Sequence, residues 1–165
     1  YEVHRLHPKE LPQLRRQIGT VFQDFKLLPT KTAYENVAFA LEVDGRPEHE
    51  IEEAVMQMLD MVGIADKKKN FPHELSGGEK QRVAISRAMI HKPAVVVADE
   101  PTGNLDAKNS AEILKLLFKI NQLGTTVIMA THDSDLVNDL NKRVITLTKG
   151  GSIIRDEAHG KYNLE

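Results

Sequence analysis

The sequence has no cysteine and no tryptophan, few aromatic residues, and no long apolar run. Without cysteine there is neither a disulfide framework nor a thiolate metal site, and the chain fits a reducing, cytoplasmic setting. Its longest uninterrupted aliphatic stretch, Ala94–Ala98, is far short of the ~20 residues that span a bilayer. No direct membrane span is expected, so any membrane connection goes through a partner. An excess of charge is also lacking: 22 Lys and Arg face 24 Asp and Glu, for a formal net charge of −2. That balance leaves no basic footprint for DNA or RNA, and no nucleic-acid partner is expected. There is no initiator Met and no charged-then-apolar leader before Tyr1, so the chain reads as cut from something longer.

With 41% hydrophobic and 28% charged residues, the sequence suits one globular domain around one core. Ile18–Phe22 is a short β-rich run that stops at the polar Gln23. Thr32 and Glu35 have capping-box spacing, which predicts a helix running through Ala40. A second helix follows from Ile51, Ala54, Val55, Met58, Leu59 and Val62, with Gly63 at its left-handed end. Leu75–Gly78 reads as a loop and Glu79–Lys92 as a helix closed by Pro93. Ala94–Ala98 suits a central parallel strand covered on both faces, and Thr126–Ala130 another buried strand. Between them Asp106 can cap a helix striped by Ile113, Leu116, Leu117 and Ile120. Arg143–Thr148 and Ser152–Arg155 flank a Lys-Gly-Gly hairpin signal. Alternating strands and helices predict an α/β fold with a mainly parallel sheet.

Three places carry chemistry. Asp99 and Glu100 emerge together at the carboxyl end of an apolar strand, the edge where open α/β sheets bind ligands. There Asp99 can position Mg²⁺ and Glu100 can serve as general base, although two acids before Pro101 can equally start a turn. Ser76, Gly77, Gly78 and Glu79 combine a hydroxyl with two small residues at a helix start, where backbone amides can approach a phosphate; a bare Ser-Gly-Gly is otherwise an ordinary flexible turn. His132 follows the strand TVIMA, a position equally open to a structural histidine. The other six histidines have no paired metal-ligand spacing, which argues against zinc.

Gln23, LSGGE, VVVADE, Asn104–Asp106 and His132 occur in the order of the Q-loop, signature, Walker B, D-loop and switch histidine of ABC-type ATPases. The chain resembles that family over nearly its whole length. VFQDFKLLP, ENVAFALEV, NFPHELSGGEKQRV, ADEPTGNLD and MATHD are similar to its bacterial cell-division branch, while the ATPases of lipoprotein-release and macrolide-export systems share ADEPTGNLD. The resemblance implies a P-loop NTPase-like core with an inserted helical subdomain, truncated at its N-terminus. Residues 1–165 would be one partial domain, with 32–71 the helical subdomain leading into the signature 75–79 and 94–155 the remainder of the catalytic core. It further implies ATP and Mg²⁺ as cofactors, Gln23 and Asp99 at the metal, Glu100 and His132 in hydrolysis, and a homodimer that sandwiches ATP. In such a dimer Ser76, Gly77 and Gly78 of one subunit, followed by Glu79, meet the nucleotide of the other, with Asp106 near both sites. The helical subdomain, with Phe25, Leu27 and Leu28, would dock a permease-like integral membrane protein, placing the ATPase peripherally on the cytoplasmic face of the membrane. A non-hydrolytic module that completes a partner's site is the alternative.

One part of the family pattern does not occur in these residues. The phosphate-binding GxxxxGK[ST] is absent, and the single Gly-Lys pair, Gly160–Lys161, continues into Tyr162 without the upstream glycine. The chain on its own is therefore expected to hold MgATP poorly and to be inactive. Calorimetric titration of the 165-residue chain with MgATP should show weak binding only, and tight binding would overturn that expectation.

Overall fold

Three consecutive valines, Val95–Val97, have stiff χ1 torsions that favour extended backbone. They form the middle of a three-stranded sheet in a computed structural model that describes residues 6–160. Strands β1 (Ile18–Val21), β2 (Val95–Asp99) and β3 (Thr126–Ala130) lie in that spatial order and are all parallel. The register pairs Val21 with Ala98 and Ala98 with Met129. Parallel neighbours require long crossovers. The first crossover contains helices α2 (Ala33–Val43), α3 (Glu48–Met61) and α4 (Gly77–Met89), and the second contains α5 (Ala107–Gln122). A short helix α1 (Leu11–Arg16), not foreseen in the sequence, precedes β1.

The capping signals are realised. Thr32 accepts from the Glu35 amide while Glu35 reaches back to the Thr32 amide at 2.7 Å, and α2 then runs three residues beyond Ala40. Asp106 caps α5 through the Asn109 amide at 2.9 Å. Gly63 and Gly124, at φ 74° and 100°, provide the left-handed turns after α3 and α5 that L-residues adopt only with strain.

Side chains of β2 alternate. Val96 and Ala98 are completely buried, joined in one core by Val21, Val83, Ile85, Ile113 and Ile120, with Val127 and Met129 packed against it. Val95 and Val97 point the other way and are half-buried, and Ile128 on that face is 54% exposed. The sequence predicts both faces covered. The structure covers one among the described residues, because α4 and α5 lie on the same side. On that side α2 and α3 continue the core through Val37, Leu41, Val55 and Leu59, each worth about 1.5–3 kcal/mol when fully buried.

The described residues divide at Ala130/Thr131 into two compact units, a boundary that falls inside residues 94–155. The second unit holds α6 (Ser134–Leu140), capped by Asp133 and ended by Asn141 at φ 46°, and an antiparallel hairpin of β4 (Val144–Leu147) and β5 (Ile153–Glu157). The hairpin turns at Gly151 and is braced by a two-pronged Arg143–Asp156 pair at 2.7 and 2.8 Å. No helix among the described residues is long and apolar enough to cross a membrane.

Strand β1 touches α4 where Gly19 faces Ala88: a Cβ at residue 19 would lie 2.5 Å from the Ala88 carbonyl oxygen, a backbone atom that cannot swing aside. Gly19→Ala should destabilise the fold by about 1–3 kcal/mol, the usual penalty of overpacking, measurable by chemical denaturation. An unchanged midpoint would show that the strand and helix are free to part.

Candidate active site

Parallel pairing in register brings three strand ends to one edge of the sheet. Asp99 is the last residue of β2 and is exposed, and Glu100 follows it half-buried. Glu100 adopts φ 44°, a left-handed conformation that costs an L-residue about 1–2 kcal/mol. The conformation is held on both sides: the Glu100 amide donates to the Ala130 carbonyl at 2.9 Å, and the Gly103 amide to the Glu100 carbonyl at 3.1 Å. Backbone strain sustained by its surroundings is a mark of functional turns. Gln23, two residues past β1, is drawn to the same turn. The Asn104 side chain donates to the Gln23 carbonyl at 2.9 Å, and a Cβ on Gly103 would lie 2.8 Å from Gln23 Nε2. A side chain at residue 103 would require the end of Gln23 to move.

The signature segment forms the first turn of α4. The sequence predicts a loop through Gly78, whereas the helix begins at Gly77 with Ser76 as its cap. The reason is a capping box: Ser76 Oγ accepts from the Glu79 amide at 3.3 Å, and Glu79 accepts from the Ser76 amide at 2.8 Å. Gly77 and Gly78 thereby become the first two helical residues, whose amides have no intrahelical acceptor and point outward beside the positive end of the helix dipole. Leu105 and Asn109 stand against them. A Cβ on Gly78 would overlap the Asn109 side chain, and one on Gly77 would lie 3.1 Å from Leu105 Cδ2. Asn109 Nδ2 in turn donates to Asp106 Oδ2 at 2.6 Å.

Sequence reading assigned no role to the polar side chains that hold these segments together. Asn36 on α2 is completely buried. It accepts from the Leu28 amide at 2.8 Å and donates toward the carbonyls of Leu28, Lys31 and Thr32, fixing the segment after Gln23. Arg87 on α4 donates to the carbonyls of Lys26 at 2.8 Å and Phe25 at 3.1 Å, two consecutive residues with positive φ. Arg82 donates to the Val62 carbonyl at the end of α3 and pairs with Glu112 on α5 at 2.6 Å. Gln81 is completely buried and donates to the Pro101 carbonyl at 2.8 Å, while its Oε1 is buried without a partner. An unpaired buried acceptor costs about 1–3 kcal/mol. Asn36 and Gln81 each occupy a helical stripe of otherwise apolar or small residues, and that pattern was the available signal.

A family model described as ABC transporter matches residues 1–103. The chain belongs to the ABC transporter family. Among its relatives, the cell division ATP-binding protein FtsE of Streptococcus pneumoniae is 52% identical over 165 residues, spanning all of this chain and 71% of the relative. FtsE of Bacillus subtilis is 54% identical over 154 residues, covering 93% of this chain and 67% of that protein. FtsE of Escherichia coli is 51% identical over 150 residues, covering 91% and 68%. Among solved structures, a dimeric post-hydrolysis state of the ATP-binding cassette MJ0796 bound to ADP and Pi superposes with a TM-score of 0.80 at 36% identity, covering 96% of this chain and 70% of that one. The resemblance read from the motifs and the ABC-type α/β fold are thus borne out. Of the ABC-motif residues, Gln23, Ser76–Glu79, Asp99, Glu100 and Asp106 lie in the first unit, whereas His132 is exposed near the start of the second.

The Ser76 amide holds the Glu79 carboxyl below its ordinary value of 4.5, and the Asn109 amide does the same for Asp106. A carboxyl with a lower value folded than unfolded contributes stability that is complete above the unfolded value and is lost as pH falls through the folded one. The Ser76–Glu79 box should therefore weaken as pH drops below about 4.5. Denaturation of wild type and Glu79→Gln at pH 7 and pH 4 should show a stability difference that shrinks on acidification, and a difference that grows would overturn the assignment.

Proposed function

We propose that the protein to which this chain belongs binds and hydrolyses ATP as a subunit of a cell-division ABC complex, using the strand-end cluster of Gln23, Asp99 and Glu100. The observation that supports it most is the meeting of Gln23 with the Glu100–Asn104 turn. Two segments some eighty residues apart are joined by an Asn104 hydrogen bond and a glycine contact where the parallel sheet opens. Such an arrangement serves to place a water and a phosphate against one base.

The donors fit a magnesium ion. Asp99 and the Gln23 amide offer hard oxygens, and Mg²⁺ is commonly held by one or two carboxylates together with substrate phosphates and waters. No cluster of three or more His, Cys, Asp or Glu that could hold a metal exists among the described residues, so the remaining ligands would come from ATP and solvent. When bound, the ion would neutralise charge on the phosphates. Glu100 takes the proton of the attacking water, and Gln23 orients that water. By the family resemblance, His132 is the residue that would sense the γ-phosphate.

The protein works as a homodimer with ATP between subunits. Ser76, Gly77 and Gly78 of one subunit present their hydroxyl and outward amides to the γ-phosphate held by the other, and Asp106 lies at the shared interface. The dimeric assembly of MJ0796 with ADP and Pi supports this reading. The helical subdomain spans 32–71 and docks a permease-like integral membrane protein at the cytoplasmic face. Phe25 and Leu27, assigned to the same contact, line an open groove with Asp24, Pro72, His73 and Lys80, just outside that subdomain.

In the full-length protein, Glu100→Gln should lower ATP hydrolysis by ~10²–10⁴-fold while preserving an ATP-bound dimer. Steady-state phosphate release and sedimentation with ATP measure the two effects. Near-normal hydrolysis by the variant would remove Glu100 from the role of base.

A further inference from the structure

The helix that carries Ser76–Gly78 also carries a buried amide that is only half satisfied. Gln81 lies one turn along α4 from Gly77, and its Nε2 donates to the Pro101 carbonyl at 2.8 Å. Its Oε1 is buried and has no partner. Pro101, itself buried, is bonded directly to Glu100, whose left-handed backbone depends on the turn around it. If Gln81 only filled space, a wholly apolar side chain would serve without an orphaned acceptor. The amide is kept at that expense, and what it provides is a directional link from helix to turn.

We propose that Gln81 is a positioning residue that transmits the state of the Ser76–Gly78 helix start to the Glu100 carboxylate of the same subunit. The inference rests on the dimeric reading above. There, the helix start of one subunit contacts the phosphate in its partner's site, while Glu100 acts on the nucleotide of its own subunit. A shift of α4 on meeting the partner's ATP is carried by the Gln81–Pro101 hydrogen bond to the turn that aims Glu100, so each base responds to ATP in the opposite site. The orphaned Oε1 fits this role: an arrangement that leaves a buried acceptor unpaired yields readily to one that supplies a donor, which gives the link two states rather than one. Gly77 and Gly78 supply the link's sensing end, and Pro101, with its fixed φ, makes a stiff receiving end.

The test uses the full-length protein. Gln81→Met keeps the length of the side chain and removes both the donor and the orphan. The expected result is a kcat lowered about tenfold with KM for ATP changed less than about twofold, and a Hill coefficient for ATP hydrolysis that falls to about 1 from a higher wild-type value. In a Glu100→Gln background the ATP-bound dimer should persist, since the link acts after assembly. Gln81→Glu preserves shape but has no N–H, and should show the same loss of kcat; if Gln81→Met does not fold, this variant decides. A wild-type kcat and Hill coefficient in either variant, or a loss confined to KM, would overturn the inference. A Glu100→Gln protein that still hydrolyses ATP would overturn the proposed function, whereas an inactive Glu100→Gln beside an unimpaired Gln81→Met would overturn the coupling alone.

Discussion

Parallel pairing of three strands is the constraint on which the rest depends. Antiparallel neighbours would send their ends to opposite edges; here Val21, Ala98 and Met129 share one level of the sheet, so the residues just beyond β1 and β2 emerge side by side. Gln23, Asp99 and Glu100 are delivered by that geometry. Gln23 needs only two residues to reach the edge and Glu100 one. A shift in register would move the carboxylates by a residue's rise and reverse which side chains face the core, exchanging Val96 and Ala98 for Val95 and Val97.

A sheet edge alone does not aim side chains. The aiming comes from a few buried polar groups that each replace several backbone partners. Asn36 satisfies one amide and, with two N–H groups, reaches toward three carbonyls, and Arg87 holds two carbonyls of a left-handed pair. Burial depresses the proton affinity of Arg87, yet a guanidinium keeps its charge, so the grip persists in a dry setting. These anchors turn loops into fixed geometry without lengthening any helix or strand. They also concentrate risk, because losing one side chain leaves several buried backbone groups unpaired at once.

What could be read in the sequence was whatever depends on local chemistry. The Thr32–Glu35 box, the Asp106 cap, Gly63 and Gly124 behave as neighbours dictate, and apolar runs gave the strands. The order of the motifs also carried the family. Two expectations failed, one at a local capping box and one in distant packing. Ser-Gly-Gly read as a flexible loop because glycine disfavours helices, but the Ser76–Glu79 reciprocal bonds outweigh that preference. The three valines of β2 read as covered on both faces, and composition cannot say which side the helices choose. Asn36 and Gln81 could have been flagged as polar residues within buried stripes, but their partners at Leu28 and Pro101 follow only from the tertiary fold.

Arg82 gives the helical layer a mechanical character. Its planar fork pins the last turn of α3 through the Val62 carbonyl and α5 through Glu112, while its own backbone belongs to α4. Three helices thus meet at one rigid node, much as struts meet at a joint in a truss. A load applied along α3 is shared with α4 and α5 instead of being absorbed by bending at Gly63. The turn at Gly63 is thus tied through one side chain to the helix that begins at Ser76.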